Sequence, residues 1–272
     1  MRRSVALAVA SLIFLATFSL YSMLHASAHE IPTVVTLFRY YWDGEVVLCP
    51  PEELKDDVQW AAEKWNRAIQ YFSIRYMLLD AARTRMRVSS EGDNKCNVFF
   101  EYFESLEHCP LCPEGKCELT GPSPGPETIV AYVNFTSPPL SAISLEAPTP
   151  VKAAKIHLWR GLDGPERKAI LLHEIAVLLG IGPPRYVHKP PYRSASELWG
   201  SLDVTSIDVY ALSLKNRYTE IEGGIIKAPT PIMLPYTTVE EDQFHTSIAL
   251  CVSVIAAIIA YLALSGRWKA AG

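Results

Sequence analysis

The sequence predicts an α+β fold with a mixed sheet, tethered by one C-terminal transmembrane helix. Three observations predict it. Runs rich in β-branched and aromatic residues alternate with two helix-patterned stretches. One of those runs, "AAKIHLWRG", alternates with the period of a half-buried strand. Thr246–Gly266 is a long run without a charged residue.

The chain opens "MRRSVALAVASLIFLATFSLYSMLHASAHE", with Arg2 and Arg3 before an apolar run and Ala26-Ser27-Ala28 after it. A basic start, an apolar middle and a small-x-small end make a signal peptide, so residues 1–28 are expected to be removed after Ala28. The other reading is an uncleaved signal anchor. At the far end, about 20 apolar residues cross a bilayer as a helix, and residues 246–266 meet that length. "EEDQFH" precedes the run, and Arg267 and Lys269 follow it. Positive residues stay on the cytoplasmic side. Residues 267–272 are therefore expected inside, and residues 29–245 outside, as a single-pass cell-membrane protein. A buried core helix or a processed sorting tail are the alternatives.

The domain between these signals reads as follows. "IPTVVTLFRYYW" has the composition of a first strand. In "CPPEELKDDVQWAAEKWNRAIQYF", Leu54, Val58, Ala61, Trp65, Ile69 and Phe72 recur at three- and four-residue steps, one face of a long helix, and Pro51 suits its start. "CNVFFEYFE" and "TIVAYVNF" read as strands. "SLEHCPLCPEGKCELTGPSPGPE" and "TSPPLSAISLEAPTP" read as loops. In "AAKIHLWRG", Ala154, Ile156 and Leu158 share one side, and Lys155, His157 and Trp159 the other. "LDGPERKAILLHEIAVLLGIGPP" is a punctuated helix. Asp163 or Gly164 caps it, Pro165 opens it, and Gly180 or Gly182 stops it before Pro183-Pro184.

Hydrophobic residues make up 49% of the chain, enough for a sizeable core, and the net charge of -4 comes without a basic block. That combination does not suggest a nucleic-acid footprint, and no nucleic-acid partner is expected. Asn134 begins a glycosylation sequon, "NFT". Of six cysteines, Cys251 lies in the apolar run and five lie outside it. An oxidising compartment favours disulfides, with Cys49–Cys96 as one candidate pair. Cys109, Cys112 and Cys117, beside His108, either pair among themselves or hold a structural zinc.

The segment "HLWRGLDGPERKAILLHEIAVLLGIG" resembles the matrixin-type metzincins, zinc peptidases in which an edge strand leads into the active-site helix. "DVQWAAEKWNRAIQYF" resembles that family's first helix. "TPIMLPYTT" is similar to its Met-turn, with Met233 as the methionine. "SLDVTSIDVYALSLKNRY" resembles its aspartate-containing C-terminal helix, although here that helix precedes the Met-turn-like segment. The similarity runs over residues 31–240 and implies a zincin-like (metzincin) fold with an active-site-type helix. In the family motif His-Glu-x-x-His-x-x-Gly-x-x-His, residues four apart on the helix grip zinc. The glutamate takes a proton from zinc-bound water.

His173, Glu174 and Gly180 match that motif; position 177 is valine and position 183 proline. His173 is thus the matched ligand and Glu174 the general base if the site is active. His188 is the best substitute ligand, with His157 and Glu197 behind it. "RYVHKPPYR" beside them is a solvated loop, the rim of the site or a membrane-facing patch.

Zinc is a candidate cofactor not expected at full occupancy. The leading expectation is a degenerate (pseudo)metallopeptidase, membrane-anchored and extracytoplasmic, that binds an extended peptide or protein along "KIHLW" as edge strand. The alternatives are an active zinc-dependent endopeptidase with substitute ligands and a non-catalytic structural or adhesin-like surface protein.

Overall fold

The structure is a computed structural model that describes residues 2–26, 33–34, 40–42, 44–103, 131–139, 149–181, 185–186, 203–218, 234 and 237–270. The chain divides into two compact units, Ile31–Ile232 and the pair Met1–Glu30 with Met233–Gly272.

The larger unit is built on a five-stranded sheet. Its strands are β3 (Val46–Cys49), β4 (Met86–Val88), β5 (Val98–Phe103), β6 (Ala131–Ser137) and β8 (Ala153–Trp159), in the order β4-β3-β5-β8-β6. Four run parallel, and β6 lies antiparallel to β8, so the sheet is mixed as expected. Ala154, Ile156 and Leu158 are fully buried on one face of β8, while Lys155, His157 and Trp159 on the other are half-buried. Burial of each large aliphatic side chain contributes about 2 kcal/mol.

One expectation about strands is refined and one corrected. "IPTVVTLFRYYW" does hold the first strands of the chain, but its described residues pair outside the five-stranded sheet. It contributes β1 (Thr33–Val34), antiparallel to β9 (Arg185–Tyr186), and β2 (Tyr40–Trp42), parallel to β7 (Thr149–Val151). The sheet's first strand is the four-residue β3, whose residues are all buried. A strand buried on both faces shows no alternation, and β3 runs almost directly into a helix, so its pattern is masked. Second, β8 is not an edge. It pairs with β5 on one side and β6 on the other, which makes β6 the end of the sheet among the described residues.

Helix α2 (Lys55–Arg75) follows a 3-10 turn at Glu52–Leu54. Leu54, Val58, Ala61, Trp65, Ile69 and Phe72 are all buried, as their spacing predicts. Acidic Asp56 and Asp57 sit in its first turn and Arg75 in its last, matching the helix dipole. Helix α3 (Gly164–Leu178) packs against α2 and β6. The Trp65 indole donates to the Leu172 carbonyl at 3.1 Å. Arg167 meets Asp57 at 2.6 Å, and Lys168 lies 3.8 Å from the same carboxylate. Helix α4 (Ser206–Tyr218) packs against α2. Thr205 caps it: its amide and hydroxyl donate to Asp208 at 2.8 and 2.7 Å, a capping box. A disulfide joins Cys49, at the end of β3, to Cys96, just before β5.

The smaller unit pairs α1 (Arg2–Ala26) with α5 (Val239–Ala270). Val239–Leu264 is long and apolar enough to cross a membrane. The helix begins before the uncharged run because Thr238 and Glu241 form a second capping box, at 2.9 and 3.3 Å. Ala6 and Ala10 are buried on α1, and Ala249 and Ser253 on α5. Small residues four apart let helix backbones approach closely.

Candidate functional site

Helix α3 is defined at both ends by local chemistry. The Asp163 carboxylate accepts from the Glu166 amide at 2.8 Å, so Asp163 is the cap. At the other end Gly180 takes φ +86°, and the Gly180 and Ile181 amides donate to Val177 and Ala176, each at 2.9 Å. That is a Schellman motif, which needs a residue free to adopt positive φ. Gly180, not Gly182, therefore stops the helix. The later carbonyls are used by β2. The Tyr40 hydroxyl donates to Val177 O, and the Trp42 indole to Leu178 O at 2.8 Å. Tyr40 is buried, its ring tilted against Phe135 of β6 with centroids 4.4 Å apart.

His173 and Val177 lie one turn apart and are both half-buried, while Leu171, Leu172, Glu174, Ile175, Ala176 and Leu178 are buried. The helix thus places position 177 where a second imidazole would meet the first, and fills it with a side chain that has no lone pair. Among the described residues no group of three His, Cys, Asp or Glu side chains gathers that could hold a metal. A catalytic zinc normally takes three protein ligands, so the described donors around His173 do not fit one. His188, Glu197 and Pro183 lie outside the described residues. His157 faces away from the buried side of β8, stacked on Tyr132 at 4.5 Å, with Nδ1 3.7 Å from Glu101.

Both motif residues are withdrawn from water, Glu174 more fully than His173. His173 Nδ1 is shielded from solvent, and burial pulls the imidazole down to about 4. Glu174 is buried, and desolvation pushes its carboxyl up to about 8. It therefore holds its proton through neutral pH, and a protonated carboxyl cannot accept one. Tyr40 is raised well above the usual phenol range, first by burial and then by the nearby Glu174.

Sequence reasoning missed a buried cation. Lys215 of α4 is almost completely enclosed, and desolvation lowers its ammonium to about 8. It lies at the end of α3: a Cβ added to Gly180 would stand 2.9 Å from Lys215 Cε. Among the described residues no carboxylate pairs with it. Asp208, two turns earlier on α4, is pushed up to about 6 by burial, against the opposing pull of its bonds from Thr205. A lysine inside an otherwise apolar helix pattern, "YALSLKNRY", is the signal that could have found it.

Of the other predicted residues, Cys49 and Cys96 are brought together in the disulfide. Asn134 is half-buried in β6. Met233, Cys109, Cys112 and Cys117 lie outside the described residues. Compared with protein-family models, with curated proteins and with solved structures, the chain matches none.

Proposed function

We propose that this is a membrane-anchored, extracytoplasmic binding protein of metzincin-like descent, a pseudopeptidase that takes an extended peptide without hydrolysing it. One observation carries the reading. Helix α3 offers a single imidazole, His173, with Val177 in the place of its partner, and packs against β6, one of the two end strands of the sheet among the described residues. Loss of the donor removes zinc chemistry, while a sheet edge keeps the capacity for strand addition, in which backbone hydrogen bonds supply affinity. The peptide edge is β6 rather than β8. The anchor is α5, with residues 1–28 serving as export signal and residues 267–272 on the cytoplasmic side.

The test uses the full chain in detergent. Zinc bound at His173 is read as the difference between wild type and His173→Ala, which cancels any ion held by the cysteine-rich segment. The expected difference is well below one equivalent, with no cleavage of casein. Val177→His combined with Pro183→His is expected to create a tight site. Casein-derived peptides are expected to slow hydrogen exchange of residues 131–137. Stoichiometric zinc lost in His173→Ala, together with proteolysis lost in Glu174→Gln, would establish an active endopeptidase with substitute ligands instead. No protection of β6 by the peptides would leave the structural or adhesin-like reading.

A further inference from the structure

The end of α2 carries a feature that the site above does not use. Ile74, Met77 and Leu79 are 72%, 74% and 62% exposed, around a buried Leu78. They are the large apolar side chains most exposed among the described residues of the larger unit. The turn that presents them is built, not loose. Met77 holds φ +56°, a left-handed conformation that costs a branched or bulky residue and suits glycine or asparagine. The Ala81 and Ala82 amides donate to Leu78 and Leu79 at 3.0 and 3.2 Å. Asn216 of α4 donates to the Asp80 carbonyl at 2.8 Å and to the Thr84 hydroxyl at 3.0 Å, pinning the turn from the other side. A backbone that would take glycine most cheaply instead lifts a thioether into solvent.

The surroundings are cationic. Between residues 67 and 87 the chain holds five arginines and no acid except Asp80. Arg87 is committed to Glu45 and Asp93. Asp80 stands between Arg83 and Arg217, at 3.3 and 3.2 Å, so a single carboxylate meets two guanidiniums. Arg75 and Arg85 are exposed. An exposed apolar turn in a segment where arginines outnumber acids matches the interfacial zone of a bilayer with anionic headgroups: apolar side chains enter the acyl boundary and cations meet phosphate.

We infer that the turn at residues 74–79 is a second membrane contact, in which Ile74, Met77 and Leu79 dip into an anionic bilayer and the arginines around them bind its phosphates. The inference rests on the reading of α5 as membrane-inserted. Once α5 is inserted, the chain itself tethers the larger unit to the same membrane, so weak contacts are enough.

The full chain is reconstituted in nanodiscs of phosphatidylcholine, with and without phosphatidylglycerol, and hydrogen exchange is followed across the chain. Resistance of vesicle-bound protein to an alkaline carbonate wash reports the inserted helical anchor and not the turn; loss there sinks the anchor reading. With the anchor intact, the amides of residues 74–79 are expected to exchange several-fold more slowly when phosphatidylglycerol is present, and added salt is expected to reverse the effect. Met77→Asn keeps a residue suited to positive φ and is expected to abolish the difference while leaving exchange in β5 and β8 unchanged. Equal exchange in both lipids overturns the inference. So does protection that follows protein concentration instead of lipid charge, which would assign the patch to another copy of the chain.

Discussion

Replacing Lys215 with methionine is expected to stabilise the protein, although it deletes a charge from the neighbourhood of the candidate site. Burial lowers the amine from its ordinary 10.5 to about 8. The sign follows from proton linkage. Below about 8 both folded and unfolded chains carry the ammonium, and the folded chain bears the full desolvation penalty. Between about 8 and 10.5 the folded amine gives up its proton while the unfolded one keeps it, so stability climbs with pH. Above 10.5 both are neutral and the penalty is gone.

At ~1.36 kcal/mol per pH unit the gap corresponds to about 3 kcal/mol. Methionine fills a similar volume without that penalty but packs less well, so a gain of about 2 kcal/mol is expected near pH 7. For a unit of this size that is a rise of roughly 4–8 °C in Tm. Tryptophan fluorescence of the full chain in detergent reports it, because Trp42, Trp65 and Trp159 belong to the larger unit. Both proteins are heated at one scan rate and at a series of pH values. The gain is expected to be largest below pH 8 and to shrink through pH 10. A lower Tm at pH 7, or a gain that ignores pH, would refute the reasoning. Gly180→Ala gives a local check: its added methyl meets Lys215 Cε at 2.9 Å, so it should cost less when Lys215 is also shortened to alanine.

Three further outcomes are expected. Asp57→Asn removes the charge that holds Arg167 and Lys168 of α3 against α2; about 1–3 kcal/mol of stability should be lost, read as a lower Tm. Cys49→Ser with Cys96→Ser opens a crosslink between residues 47 apart, and chain entropy sets the cost at up to about 4 kcal/mol; thiol counting should first show this pair oxidised in wild type. Sequencing of the purified protein should place its first residue at His29. An intact Met1 would instead make α1 with α5 the membrane unit, joined through Ala6, Ala10, Ala249 and Ser253.

How much was legible followed from how local each signal is. The buried stripe of α2 and the alternation of β8 are written in consecutive residues, and each appears where its spacing placed it; of the two candidate caps Asp163 is the one used, and the apolar C-terminal run lies in a helix that starts earlier, at Val239. Strand β3 escaped because a short strand buried on both faces has no period to read. The order β4-β3-β5-β8-β6 was also hidden. Pairing joins segments far apart in the chain, so "KIHLW" could be recognised as a strand but not as an interior one.

The sequence by itself determined that His173 and Val177 share a helical face and that no second imidazole stands one turn along. That is a consequence of 3.6 residues per turn and needs no partner. Only the tertiary structure decided the protonation of what surrounds them. Glu174 keeps its proton and Lys215 is ready to lose its own, because both are removed from water by elements distant in sequence. The free energy of a buried charge depends on what has displaced the solvent, and no local spacing encodes that.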